Sequence, residues 1–153
     1  MTTSEGTTEA MRERLRSMIP AGGKDGPTQG VNHIAVFAKN LEATAKFYSE
    51  IMDMPVIRVS ANRDVAESTH MNVAIGNGMS SPAFFDFPNV PRLQLRAPEG
   101  VGNVMHVALP IARNVFVELK GRMDGNKIKY EEVGGSLYVK DPNGLGIELM
   151  PYD

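Results

Sequence analysis

His33-Ile-Ala-Val36 and His106-Val-Ala-Leu109 are two versions of one four-residue phrase, set 73 positions apart. Each combines β-branched and apolar residues with none of the breakers of a loop, the pattern of a buried strand. Repetition at a fixed offset points to a duplicated unit more firmly than either strand does alone. Side chains alternate across a strand, so His33 shares a face with Val31, Ala35 and Phe37, opposite Ile34 and Val36. His106 lies with Val104 and Ala108, opposite Met105, Val107 and Leu109. The bulkier aliphatics mark the face that a helix covers.

Working outward, Asn40 can cap a helix whose Leu41, Thr44, Ala45, Tyr48, Ile51 and Met52 recur at helical spacing before Asp53 to Pro55 stop it. Short strands fit at 56–60, 69–75 and 83–87, separated by Gly76-Asn77-Gly78 and a Ser/Pro turn. The Pro/Gly-punctuated stretch 91–102 reads as a linker. The order then recurs: a strand at 104–109, a helix at 111–123 with Val115, Phe116, Leu119 and Met123 inward, and strands at 127–133, 137–140 and 145–150. The expected fold is α+β, two βαβββ modules at about 30–91 and 102–151 whose curved mixed sheets face each other as a cup. They form a single domain, 30–153. Residues 1–29 are an extension with a short helix at 9–18, where Met11, Leu15 and Met18 stand at helical spacing. So short a helix docks on the body or on a partner chain, or frays.

Length and composition bound the function. A chain of 153 residues with 42% apolar and 22% charged residues buries one ordinary core. Its 16 basic and 18 acidic residues are interspersed, with no basic block for a row of phosphates, so nucleic acid is not an expected partner. No window reaches about 18 consecutive apolar residues and no secretory layout opens the chain, so no membrane contact and a cytoplasmic location are expected. With no cysteine there is no disulfide, no thiol nucleophile and no thiolate metal site. Metal chemistry must use carboxylates and the three histidines, His33, His70 and His106.

The closing strand supplies a carboxylate: Glu148 shares a face with Gly146 and Met150, opposite Leu145, Ile147 and Leu149. Buried without compensation, that group would stay neutral or destabilise the fold, so a partner is expected. Two histidines and one carboxylate at repeat-related places can fill one side of a metal's coordination sphere and leave positions open. His70, on the face of Asn72 and Ala74, can project into the same cup as an acid/base or substrate-binding group. Asp141-Pro-Asn-Gly144 is a tight-turn signal with a structural role, and the ten methionines are core or pocket packing.

These stretches, together with Leu41-Glu-Ala-Thr-Ala-Lys-Phe-Tyr48 and Asp141-Pro-Asn-Gly-Leu-Gly-Ile-Glu-Leu149, resemble the vicinal oxygen chelate superfamily of glyoxalases, extradiol dioxygenases and bleomycin and fosfomycin resistance proteins. The resemblance covers about residues 30 to 151. It implies that His33, His106 and Glu148 hold one divalent metal, Fe(II) in the first reading, with Zn, Ni, Co or Mn as alternatives. It places Asp86 where glyoxalase I and the epimerases carry a fourth ligand. It gives Tyr138, ten residues before Glu148, the place of a substrate-contacting tyrosine in the extradiol enzymes. It further implies a homodimer, with modules pairing within a chain or between chains. The substrate carries two neighbouring oxygens. A ring-cleaving dioxygenase with His70 and Tyr138 as catalytic groups is the first reading, a lyase or isomerase the second, and a non-enzymatic drug-binding protein the third.

Overall fold

A computed structural model describes residues 4–23, 27, 31–62, 65–76, 81–86 and 104–153. Two units follow one another along the chain, Met1–Gly30 and Val31–Asp153. In the first, helix α1 (Ser4–Ser17) carries Arg16 against Glu9 and Glu13, and Arg12 against Glu9. Its Met11 and Leu15 are exposed, and Met18 and Ile19 just beyond it are more so. The helix begins earlier than its apolar spacing indicated, at Ser4, and its ion pairs lie within 9–16, where they support the turns already expected.

The second unit opens with strand β1 (His33–Phe37) and helix α2 (Leu41–Lys46), which runs on as a π-helical turn, Phe47–Ile51. Asn40 caps α2 as its sequence indicates: its side-chain oxygen accepts from the Ala43 amide at 2.8 Å. The wider turn brings Phe47, Tyr48, Ile51 and Met52 inward together. Asp53 then takes a left-handed conformation, φ 56°, and Pro55 prevents continuation. Strands β2 (Val56–Ala61), β3 (Thr69–Val73) and β4 (Ser81–Phe85) complete a four-stranded mixed sheet of order β1-β4-β3-β2.

The second module repeats this order. Strand β5 (Val107–Ala112), helix α3 (Arg113–Gly125), and strands β6 (Tyr130–Val133), β7 (Ser136–Lys140) and β8 (Gly146–Tyr152) give a sheet of order β5-β8-β7-β6. The duplication read from the histidine phrase is thus present in the backbone. Several boundaries differ from the sequence reading: β5 starts at Val107, so His106 stands just before it rather than within it, and α3 starts at Arg113; two further differences have a local cause. Strand β5 runs through Pro110, where an end was expected; it is an edge strand, and an edge tolerates a residue without an N–H. The stretch before β6 is not strand from 127, because Lys127 is left-handed at φ 56° and the Ile128 amide turns back to the Met123 carbonyl at 2.9 Å, closing α3. The linker at 91–102 and the turn at Asn77-Gly78 lie outside the described residues, and the fourth strand, expected at 83–87, runs instead from Ser81 to Phe85.

One core joins the two modules: Phe47, Tyr48, Ile51, Met52, Met71, Val73 and Phe84 from the first, and Phe116, Leu119, Met123, Leu137, Val139, Ile147 and Leu149 from the second. Polar ties cross the same boundary. The Tyr48 hydroxyl donates to Asp141 at 3.2 Å, the Lys39 amide to Asn143 Oδ1 at 2.8 Å, and Asn143 Nδ2 to Thr44 at 3.1 Å. The Asp141-to-Gly144 turn is structural, as its residues indicate, and it also fastens α2 to the second sheet. Because the helices and the aliphatic faces meet in that core, the faces bearing His33 and His106 are left on the outside. In β1, His33, Ala35 and Phe37 are exposed while Ile34 and Val36 are half-buried.

Candidate metal centre

Strand pairing fixes the site's geometry. In the second sheet, parallel pairing sets Ala108 directly across from Glu148, and antiparallel pairing sets Tyr138 on Glu148's other side. His106, just before β5, comes off the same face. Its Nε2 lies 3.0 Å from Glu148 Oε2, and its ring meets the Tyr138 ring edge-on, centroids 5.5 Å apart. Gly146 makes the approach possible: a Cβ there would stand 2.7 Å from the Met105 carbonyl oxygen and 3.0 Å from the His106 Cβ. Glu148 is largely buried, yet its carboxyl is held below the ordinary carboxylate range, first by the Tyr138 hydroxyl, then by Ser136 and by His106. The same bond pushes the Tyr138 hydroxyl upward. Glu148 is therefore an anion with its outer lone pairs already oriented.

The His106–Glu148 pair has the spacing of two adjacent ligands of a divalent ion. Metal–nitrogen and metal–oxygen bonds of roughly 2.0–2.2 Å put two adjacent donors of an octahedral ion roughly 3 Å apart, the separation seen between His106 and Glu148. His33 is prepared in another way: its Nδ1 bonds to Asn32 Oδ1 at 2.9 Å, which places the proton there and leaves Nε2 as the lone-pair nitrogen. Neither Asn32 nor Ser136 stood out in the sequence, because neither residue type signals a metal and each acts only through a neighbour set by strand register.

The three expected ligands are not brought together within one chain. Among the described residues no three His, Asp or Glu side chains gather as a metal set. A cleft of about 800 Å³ runs from Val31, His33, Ile34 and Ser81 to Val107–Ala112, with Met54 and Ile75 on its walls. It reaches His33 but neither His106 nor Glu148. The cup with all three ligands on its floor is therefore not formed by a single copy, since the shared core lies between the two helix-covered faces and the ligand faces point away from it.

Asp86 is engaged elsewhere. Its carboxylate accepts the Thr69 amide at 2.5 Å and the Ser68 hydroxyl at 3.4 Å, closing the start of β3. In the first sheet Ala35 pairs across to Ala83, as Ala108 pairs to Glu148 in the second, so Ala83 holds the repeat-equivalent of the carboxylate position. His70 lies on the same face as His33, stacked on Phe85 with centroids 4.4 Å apart. Burial, then Arg58 and His33, hold it below the ordinary histidine value, so it is uncharged at neutral pH.

Among curated proteins none matches the chain. Solved structures do. A glyoxalase/dioxygenase from Nostoc punctiforme superposes with a TM-score of 0.66 at 19% identity, over 85% of this chain and 95% of that one. The trypanothione-dependent glyoxalase I of Leishmania major gives 0.62 at 23% identity, covering 81% and 87%. The fosfomycin resistance protein FosX of Listeria monocytogenes gives 0.61 at 21%, covering 82% and 93%; a variant of it has been solved with Mn(II) and a dihydroxypropylphosphonic acid. These likenesses establish the fold of two four-stranded mixed sheets with flanking helices. A family model matches residues 30–149, nearly the whole of the second unit, and the chain belongs to the Glyoxalase/Bleomycin resistance protein/Dioxygenase superfamily.

Proposed function

We propose that this chain is a metal-dependent enzyme acting on a small molecule with two neighbouring oxygens, and that its centre is completed by a second copy. His106 and Glu148 of one copy and His33 of the other hold the ion. The observation that carries this reading is the His106–Glu148 pair, 3.0 Å apart and steadied by Tyr138, on a face that the chain's own core leaves uncovered.

A divalent ion bound there supplies Lewis acidity toward both substrate oxygens. The chain's own groups do the rest. Glu148 is kept ionised by its hydroxyl partners and ready as a ligand at neutral pH. His33 keeps its lone pair outward through Asn32. His70, uncharged, takes a proton from the substrate. Phe85, lying flat against the His70 ring, fixes that imidazole's plane.

Two histidines and one carboxylate, with Ala83 in the fourth place and Asp86 tied to Thr69, match the three-ligand set of Fe(II) oxygenases. Ring cleavage of a catechol-like substrate is accordingly the first reading. A second is an isomerase or lyase step with Mn, Zn, Ni or Co. It is favoured by the Tyr138 hydroxyl, which is committed to Glu148 rather than left for a substrate. Oxygen uptake with several catechols, on protein loaded with Fe(II) and separately with Mn(II), decides between them. Uptake with Fe(II) supports the oxygenase. No uptake from fully loaded protein removes it.

A further inference from the structure

The face that carries His33 has a polar row of which the mechanism above uses only His70. Register sets Asn72 of β3 between Ala83 of β4 and Arg58 of β2. Asn72 Nδ2 donates to the Ser81 hydroxyl at 3.1 Å, and Ser81 is the direct neighbour of His33. In the second sheet the matching places are Tyr138 for Asn72, Glu131 for Arg58 and Glu148 for Ala83. Where the second face carries two carboxylates and one cation, Lys140, the first carries a guanidinium and, among its described strand residues, no acid. The two faces of the duplicated fold have acquired opposite charge.

Two atoms in this row are also left over. His70 Nε2 and Asn72 Oδ1 are buried with no hydrogen-bond partner among the described residues. Buried polar groups in folded proteins are nearly always paired, and an orphaned pair on one face calls for a ligand or ordered water to pair it. Asn72 Oδ1 accepts only, so its missing partner is a donor, an O–H or N–H.

We infer that Arg58, Asn72 and His70 form a substrate subsite for a hydroxylated oxyanion, the anion on Arg58 and its hydroxyl donating to Asn72. This rests on the reading of the His33 face as the substrate side. It adds a substrate class: the end remote from the metal carries a carboxylate, phosphate or phosphonate beside a hydroxyl. Strands stand about 4.8 Å apart, and three such steps separate β1 from β2, so the two ends of the substrate lie on the order of 14 Å apart.

Neither Arg58 nor Asn72 is a proposed metal ligand, so the subsite can be probed without metal. Chelator-treated, 15N-labelled protein is titrated with lactate and with propionate, which lacks the hydroxyl. The expected result is saturable shifts at Arg58, His70 and Asn72, with lactate bound at least threefold more tightly. Arg58→Ala weakens both acids at least tenfold, and Asn72→Ala abolishes the preference. Each variant's own spectrum reports whether it is folded. Equal affinities for the two acids, or an unchanged titration of a folded Arg58→Ala protein, overturns the inference. If lactate binds as expected while His106→Ala keeps its metal, the subsite stands and the metal centre falls.

Discussion

Ala83 stands in the first sheet where Glu148 stands in the second, each directly across a parallel strand pair from an alanine two places after a histidine. The duplication has kept the histidine in both halves and the carboxylate in one. A single chain therefore holds one complete pair of ligands and one lone histidine, and the two lie on faces turned away from a common core.

The ligand set follows from that asymmetry. Glu148→Gln keeps the side chain's shape but removes the anion, and is expected to lower metal affinity by at least tenfold while the fold is retained. Asp86→Ala should leave metal content unchanged. It removes the acceptor for the Thr69 amide and so costs about 1–3 kcal/mol of stability. Elemental analysis and urea unfolding of the two variants side by side separate ligand from cap; metal loss from the Asp86 variant would restore it to the centre.

Gly146 has a steric task. With a methyl group there, the Met105 carbonyl and the His106 Cβ must give way by several tenths of an ångström. Gly146→Ala is expected to move His106 off Glu148 and weaken metal binding roughly 10- to 100-fold with little change in circular dichroism. Wild-type affinity in this variant would mean that the His106 position is not set by β8.

Tyr48 gives a pH signature away from the metal. Burial first, then Asp141, push its hydroxyl far above the ordinary tyrosine value. The folded protein therefore keeps a proton that the unfolded chain releases above about pH 10, so this contribution is whole below that pH and drains away as pH rises through it. Tyr48→Phe should cost about 1 kcal/mol at pH 7 and lose less stability than wild type between pH 9 and 11. Parallel losses in the two proteins, followed by urea midpoint, would contradict the assignment.

Much of the fold was legible because it rests on local rules. The Asn40 cap, the Asp53–Pro55 stop, the Asp141–Gly144 turn and the repeated histidine phrase each act within a few residues, and each stands where its chemistry indicates. The path of β5 through Pro110 was not legible, since only the strand order shows that its free edge makes a missing amide harmless. In the candidate site, residue type singled out His33, His106, Glu148 and His70. Asn32, Ser136, Arg58 and Asn72 act through cross-strand neighbours, and register is a long-range property that one sequence does not display. For Asp86, residue type left a ligand and a strand-end cap both open; register puts Ala83, three residues before it, across from Ala35 as Glu148 is across from Ala108, and Asp86 bonds to the Thr69 amide.

The most direct test of a centre shared between copies is mixing. His33→Ala and His106→Ala proteins are purified separately, then unfolded and refolded together so that chains exchange, and metal is measured after gel filtration. Each variant alone should hold almost none. In a two-copy site, a mixed dimer has one centre with neither substitution, so random pairing restores about a quarter of the wild-type metal. A mixture that binds no more metal than its two components, in dimers shown to have exchanged, would contradict the account.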